Sequence, residues 1–205
     1  MHVCTCIHVN VRSFISGAKI QTVDSKSIIT SLAVASLGVY ATSRSRKRLF
    51  GTQRSRTCSL VVYNKVGDKL ARNKLFEIPT QYEEEYPTLS VNSNHIRIAL
   101  AGKGTIIDTS LDGTVQHTFV ANNNNYSKRL SYPYIYQNDE AGSFLVADRF
   151  NNRIVVVGAE GRDFSELEFE EEIRRPRAAV VFMNRLYAVS WEDSTLSVYE
   201  PVDKW

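Results

Sequence analysis

Short apolar runs separated by tight polar turns recur along this chain, and they predict strands. The clearest case is Ser143 to Gly161, SFLVADRFNNRIVVVGAEG. Phe144-Leu145-Val146-Ala147 and Ile154-Val155-Val156-Val157 are too short for helices and rich in strand-favouring residues. Between them stand Asp148 and Asn151-Asn152, whose short side chains bond their own backbone and tolerate the left-handed region. The segment therefore reads as two strands around a polar turn.

A repeat unit of this kind recurs at roughly 40–50 residues, and three weaker copies of it appear near that period. Thr195-Leu196 set against Arg153-Ile154 places Leu186 to Val189 on the first strand and Ser190 at the Asp148 position. Thr105-Ile106 places Ile96 to Ala99 on that strand, with Gly102 and Gly104 in the turn. Arg48-Leu49 places Val39 to Thr42 there, with Ser43 at the Asp148 position. Ile28–Val34, Thr88–Val91, Tyr132–Tyr136 and Ala178–Phe182 fit strands that precede each pair. Turns at Lys65–Lys69, Leu111–Thr114 and Ala159–Arg162 lead towards a fourth strand. Pro87, Pro133 and Pro176 stand where a missing N–H is easiest to tolerate.

The order apolar strand, Asp, Asn-Asn-Arg, apolar strand resembles an NHL repeat, one blade of a β-propeller. The resemblance implies an all-β fold of four-stranded antiparallel blades, with about four blades recognisable. Residues 1–25 form an N-terminal extension whose Val3–Val11 strand can close the ring. The blades take residues 26–80, 81–125, 126–172 and 173–205. A β-sandwich is the alternative architecture, since turns at this spacing suit both. NHL-type propellers usually have about six blades, so the first expectation is a piece of a longer propeller. A small four- or five-bladed ring, or an open arc completed by another chain, are the others, and an open arc implies self-association.

Composition supports a β-rich core: of 205 residues 43% are hydrophobic, with ten Tyr and nine Phe. Phe164–Arg174 has helical composition without a settled period, so a strand leading into a loop fits equally. Tyr82–Tyr86 reads as an acidic surface loop and Asn122–Asn125 as a loop. Asn125-Tyr126-Ser127 is a glycosylation sequon, relevant only in a secreted protein.

The net charge of +3 names no partner, but its distribution is uneven. Arg44, Arg46, Lys47, Arg48, Arg54 and Arg56 lie together with no acidic residue among them. In the repeat register the run begins in the turn equivalent to Asp148–Asn152 and reads as a long basic loop. Such a loop can hold phosphates or an acidic peptide, or be simply solvated, and the acidic run Glu166–Glu172 is an intramolecular alternative partner.

Three cysteines, Cys4, Cys6 and Cys58, argue for a reducing compartment and a cytoplasmic protein. His2, Cys4, Cys6 and His8 alternate along one strand whose ends lie roughly 20 Å apart, too far for one zinc ion. No metal site and no cofactor are expected. The N-terminus lacks a signal-peptide pattern, and Ser27–Ala41 is too short to cross a bilayer, so no membrane partner is expected.

No phosphate loop, nucleophile elbow or His-Glu-x-x-His pattern is present. The resemblance therefore implies a non-catalytic scaffold that binds a protein partner. RNA binding through the basic loop is the second reading. Calcium-dependent lactonases and esterases of the six-bladed type supply a third, with Asn92, Asn138 and Asp139 as candidate ion ligands and His95 or His117 as a base. Asp148, Asn151, Asn152 and Arg153 are expected to be structural turn residues. Similarity to tripartite-motif NHL proteins carries no ligase activity here, because no RING, B-box or coiled-coil pattern occurs.

Overall fold

The computed structural model describes residues 7–12, 19–25, 28–35, 38–46, 56–66, 69–78, 87–120, 130–139, 141–161, 163–169 and 172–200. The chain divides into two compact units, residues 1–83 and 84–205.

In the first unit, β1 (Ile7–Arg12) pairs antiparallel with β2 (Lys19–Ser25), Ile7 opposite Ser25. The described part of the strand read from Val3–Val11, residues 7–11, pairs with β2. The strands β3 (Ile28–Ala35), β4 (Gly38–Arg46), β5 (Arg56–Val66) and β6 (Lys69–Ile78) form a four-stranded antiparallel meander in chain order. Ala41, Val61 and Tyr63 are its buried centre, with Val39 packed against them.

The second unit holds three successive meanders. The first is β7 (Thr88–Val91), β8 (His95–Leu100), β9 (Thr105–Ser110) and β10 (Val115–Val120). The next is β11 (Pro133–Asn138), β12 (Phe144–Asp148), β13 (Arg153–Val157) and β14 (Phe164–Glu166). The last is β15 (Pro176–Phe182), β16 (Arg185–Ser190) and β17 (Leu196–Tyr199), with no fourth strand among the described residues.

Strand periodicity explains how these sheets stack. Successive residues of a strand point to opposite faces. In the middle sheet Phe144 and Val146 enter one core with Ala99 and Ile106 of the preceding sheet. Leu145 and Ala147 enter the other core with Ala179, Leu186 and Ala188 of the following sheet. Both faces of β12 are therefore buried, which accounts for its unbroken apolar run. Burying each large side chain of this kind contributes about 1.5–3 kcal/mol. Sheets stacked face to face in chain order are blades, and the chain is an all-β, partial β-propeller.

Two devices lock neighbouring blades together. The Ile135 amide on β11 donates to Thr88 Oγ1 on β7 at 2.9 Å, joining the innermost strands. Gly161 has φ +70°, and a Cβ there would meet the Phe119 ring at 2.1 Å, so glycine is required both by the turn and by the ring above it.

Two sequence expectations change. Phe164–Glu166 is strand β14, and the described residues that follow are irregular, so the helical option for Phe164–Arg174 is removed. The basic run is not one loop: Arg44 and Arg46 belong to β4 and Arg56 opens β5. The third strand of that blade begins at Arg56, later than the Arg48-Leu49 alignment places it. The Arg44-Ser45-Arg46 segment carries no Gly, Pro, Asn or Asp, and the β4–β5 ladder extends through it to the pair Arg46 and Arg56. Lys47, Arg48 and Arg54, like Tyr82–Tyr86, Asn122–Asn125 and His2 to Cys6, lie outside the described residues.

Candidate functional site

The Asp148 turn is built as its composition demands. Asp148 is fully buried at the end of β12 and accepts three hydrogen bonds. The donors are the Ser131 amide at 2.6 Å, Asn151 Nδ2 at 2.7 Å and Arg153 Nε at 2.9 Å. Arg153 Nη1 also reaches Glu166 Oε2 on β14 at 3.3 Å. Asn152 has φ 52°, closing the turn in the left-handed region, and its Oδ1 accepts the Arg175 amide at 3.0 Å. Burial pushes the Asp148 carboxyl above its ordinary value, against the pull of Asn151, Ser131 and Arg153. The turn thus ties β12, β13 and the entries to β11 and β15 together through Asp148, Asn151, Asn152 and Arg153.

What this framework presents is a cation–aromatic cluster. In an up-and-down blade, the connection between the second and third strands lies at the same end as the entry to the innermost strand. The β12–β13 and β16–β17 connections therefore meet the segments leading into β11 and β15. Arg149 and Phe150 come from the first connection, Trp191 from the second, Tyr132 from the β11 entry and Arg177 from the start of β15. The Arg149 guanidinium carbon lies 4.3 Å from the centre of the Trp191 ring, 5.1 Å from Phe150 and 6.0 Å from Tyr132. Arg177 lies 4.4 Å from the same Trp191 ring, and Tyr132 meets Phe150 edge-on at 4.8 Å. Phe150 is 50% exposed and Trp191 44%.

The backbone holds this cluster in place. The Phe150 amide donates to the Ser131 carbonyl at 3.1 Å and the Trp191 amide to the Arg175 carbonyl at 2.9 Å. Tyr132 and Arg175 have φ of 61° and 43°, conformations that side-chain-bearing residues adopt at a cost of order 1 kcal/mol or more. Strain of this sort concentrates at binding surfaces.

At the opposite end of the blades lies a buried ion pair. Arg97 on β8 and Asp108 on β9 face each other, with Nε to Oδ1 at 3.7 Å and both side chains essentially unexposed. Arg97 Nη2 donates to the Ala159 carbonyl at 3.2 Å, and its guanidinium stacks 4.4 Å from the Phe144 ring. Burial lowers the Arg97 pKa, and Asp108 and Asp139 oppose that. His95 Nδ1 stands 3.2 Å from Asp108 Oδ1.

Two of the candidate calcium ligands, Asn92 and Asp139, have other occupations, and the side chain of the third, Asn138, lies outside the described residues. Asn92 Nδ2 donates to the Asp139 carbonyl at 2.7 Å, while Asn92 Oδ1 accepts the Asn94 and His95 amides. Asp139 Oδ1 accepts the Ser143 amide at 2.7 Å. His117 is exposed on β10 and stacks with Phe119. No group of three or more His, Cys, Asp or Glu placed to hold a metal occurs among the described residues. No helix there is long and apolar enough to cross a membrane.

No protein-family model and no curated protein matches the sequence. Solved structures do match in fold. A chain of a nidogen/laminin complex aligns with TM-score 0.51 and 13% identity, over 88% of this chain and 84% of that one. Virginiamycin B lyase from Staphylococcus aureus aligns with TM-score 0.52 and 14% identity, over 86% of this chain. This chain spans only 56% of the lyase. Glutaminyl cyclase from Myxococcus xanthus aligns with TM-score 0.50 and 10% identity, over 84% and 65% of the two chains. These likenesses show a β-propeller-like fold, and NHL repeats as such find no family match. They also correct the expectation of a non-catalytic chain, because propellers of similar fold include a lyase and a cyclase.

Proposed function

We propose that this chain is a β-propeller interaction module that binds a protein partner at the end of the second unit formed by Tyr132, Arg149, Phe150, Arg177 and Trp191. The observation that carries this reading is the stack of two guanidinium groups on a half-exposed tryptophan. Trp, Tyr and Arg dominate interface hot spots, because they combine large contact area with directed polar groups. Held by the Asp148 turn and by main-chain hydrogen bonds, they meet a partner with little ordering cost. One propeller of similar fold is itself seen in a nidogen/laminin complex.

The test is affinity for a partner captured by the intact chain and then purified. Trp191→Ala and Arg149→Ala are each expected to weaken that affinity by roughly tenfold or more, the effect of losing a hot spot of about 1.4 kcal/mol or more. Unchanged affinity in both folded variants sinks the reading.

A second reading, RNA binding by the first unit, is favoured by one feature of the β4–β5 ladder. Arg46 stands opposite Arg56 in the backbone register, so the ladder brings both ends of the basic run to one place on the hairpin. Affinity for RNA is then expected to fall steeply with salt and to weaken when Arg46, Lys47 and Arg48 become alanine. An RNA complex insensitive to salt contradicts it.

A further inference from the structure

We infer that the cation–aromatic cluster reads an acidic peptide segment, taking its carboxylates on the N–H edges of Arg149 and Arg177. The inference rests on the proposed use of this end for protein binding and specifies the chemistry of the partner. Three observations carry it. First, neither guanidinium has a carboxylate partner among the described residues, and Arg149 Nε has no hydrogen-bond acceptor in the protein although it is shielded from solvent. A guanidinium has five donors in a fixed fork that matches a carboxylate, so these edges are unspent capacity.

Second, the guanidinium faces are already used. Arg149 lies over Trp191 and Phe150, and Arg177 lies over Trp191. Stacking orients each fork and leaves its edges as the available recognition groups. The same stacking occupies ring surface that a nucleic-acid base would need, which favours a carboxylate over a stacked base.

Third, the nearby acids are few. Asp193 accepts the Thr195 amide at 3.1 Å and its hydroxyl at 2.8 Å, and those bonds hold its carboxyl below the ordinary range together with Ser190. Glu172 pairs with Arg174 at 3.7 Å. Among the described residues, Glu192 is the remaining exposed acid next to Trp191 in the chain. Against Glu192 and Asp193 stand Arg149, Arg175 and Arg177, so among the described residues three cations face two acids.

The experiment uses the full chain carrying Trp205→Phe. The chain has two tryptophans, so Trp191 becomes the sole indole reporter. A hexaglutamate peptide and a hexauridine oligonucleotide are titrated separately at fixed low salt. The expected result is a saturable change in Trp191 emission with hexaglutamate, and weaker binding of hexauridine. Arg149→Ala and Arg177→Ala should each weaken the peptide roughly tenfold, from loss of a charge-assisted hydrogen bond. Arg177→Lys should recover only part of that, since an ammonium lacks the fork. Arg177 is exposed, so its variants report on binding even where Arg149→Ala lowers stability.

Absence of saturable hexaglutamate binding overturns the inference. So does peptide affinity that is indifferent to both alanine variants, or hexauridine binding tighter than the peptide. Those outcomes, combined with a captured protein partner that still depends on Trp191, leave the protein-binding reading standing and remove only its acidic chemistry.

Discussion

Replacing Asp148 by alanine is expected to destabilise the second unit by about 3–5 kcal/mol, a large share of the stability of a typical domain. The substitution strands three donors at once, the Ser131 amide, Asn151 Nδ2 and Arg153 Nε. Asn151 is exposed and can turn to water, so the loss falls mainly on the Ser131 amide and Arg153 Nε, at about 1–3 kcal/mol for each shielded donor left without an acceptor. Asp148→Asn keeps one acceptor oxygen and should cost less. The pH dependence has a definite sign. Burial raises the native pKa of Asp148, so the folded chain takes up this proton before the unfolded chain does, and acidification through that pKa does not remove stability at this site. Asp112 and Asp193 act oppositely. Hydrogen bonds led by the Ser110 and Ser190 side chains lower their pKa values. Their stabilisation is present above the unfolded value of 3.8 and is lost as pH falls through the lower native values. Urea midpoints of the Asp148 variants at neutral pH check the first claim, and an alanine variant as stable as the parent contradicts it.

The second large effect is expected at the buried pair of Arg97 and Asp108. Asp108→Ala alone leaves a guanidinium with no exposed surface, one hydrogen bond to the Ala159 carbonyl and one stacked ring. Removing one partner of such a pair costs about 3–5 kcal/mol, whereas apolar replacement of both is often neutral or stabilising. The double variant Arg97→Met with Asp108→Leu should therefore recover most of the loss. A double variant whose loss equals the sum of the losses of its two single variants would show that the two residues act independently of each other.

The blades were legible because their signals are local. Asp148 bonds Asn151 and Arg153 within six residues, and Asn152 closes the turn through its left-handed backbone. Strand pairs such as Ile96–Ala99 with Thr105-Ile106 carried the same register into weaker copies. The basic run misled because charge density is not a turn signal. Arg44 and Arg46 sit within a ladder that continues to the pair Arg46 and Arg56.

The cation–aromatic cluster was not legible from any single segment. Its five residues come from four stretches of chain, joined only when the blade connections converge at one end. One trace was present in the repeat register. Aligning Ser190 with Asp148 places Trp191 on Arg149, and those two side chains stack at 4.3 Å. Equivalent turn positions of consecutive blades become spatial neighbours, so exposed cationic and aromatic residues at such positions are the signal to look for.

The account stands on that end of the second unit being the surface that meets a partner. The most direct measurement is the affinity of the purified partner for the Arg149→Ala, Trp191→Ala double variant, beside Val115→Thr, which alters a half-exposed residue on the outer strand β10. The expected result is a loss of at least about tenfold for the double variant, because Arg149 and Trp191 stack on one another and contacting hot spots are not additive, and no change for Val115→Thr. Full affinity in a folded double variant would contradict it.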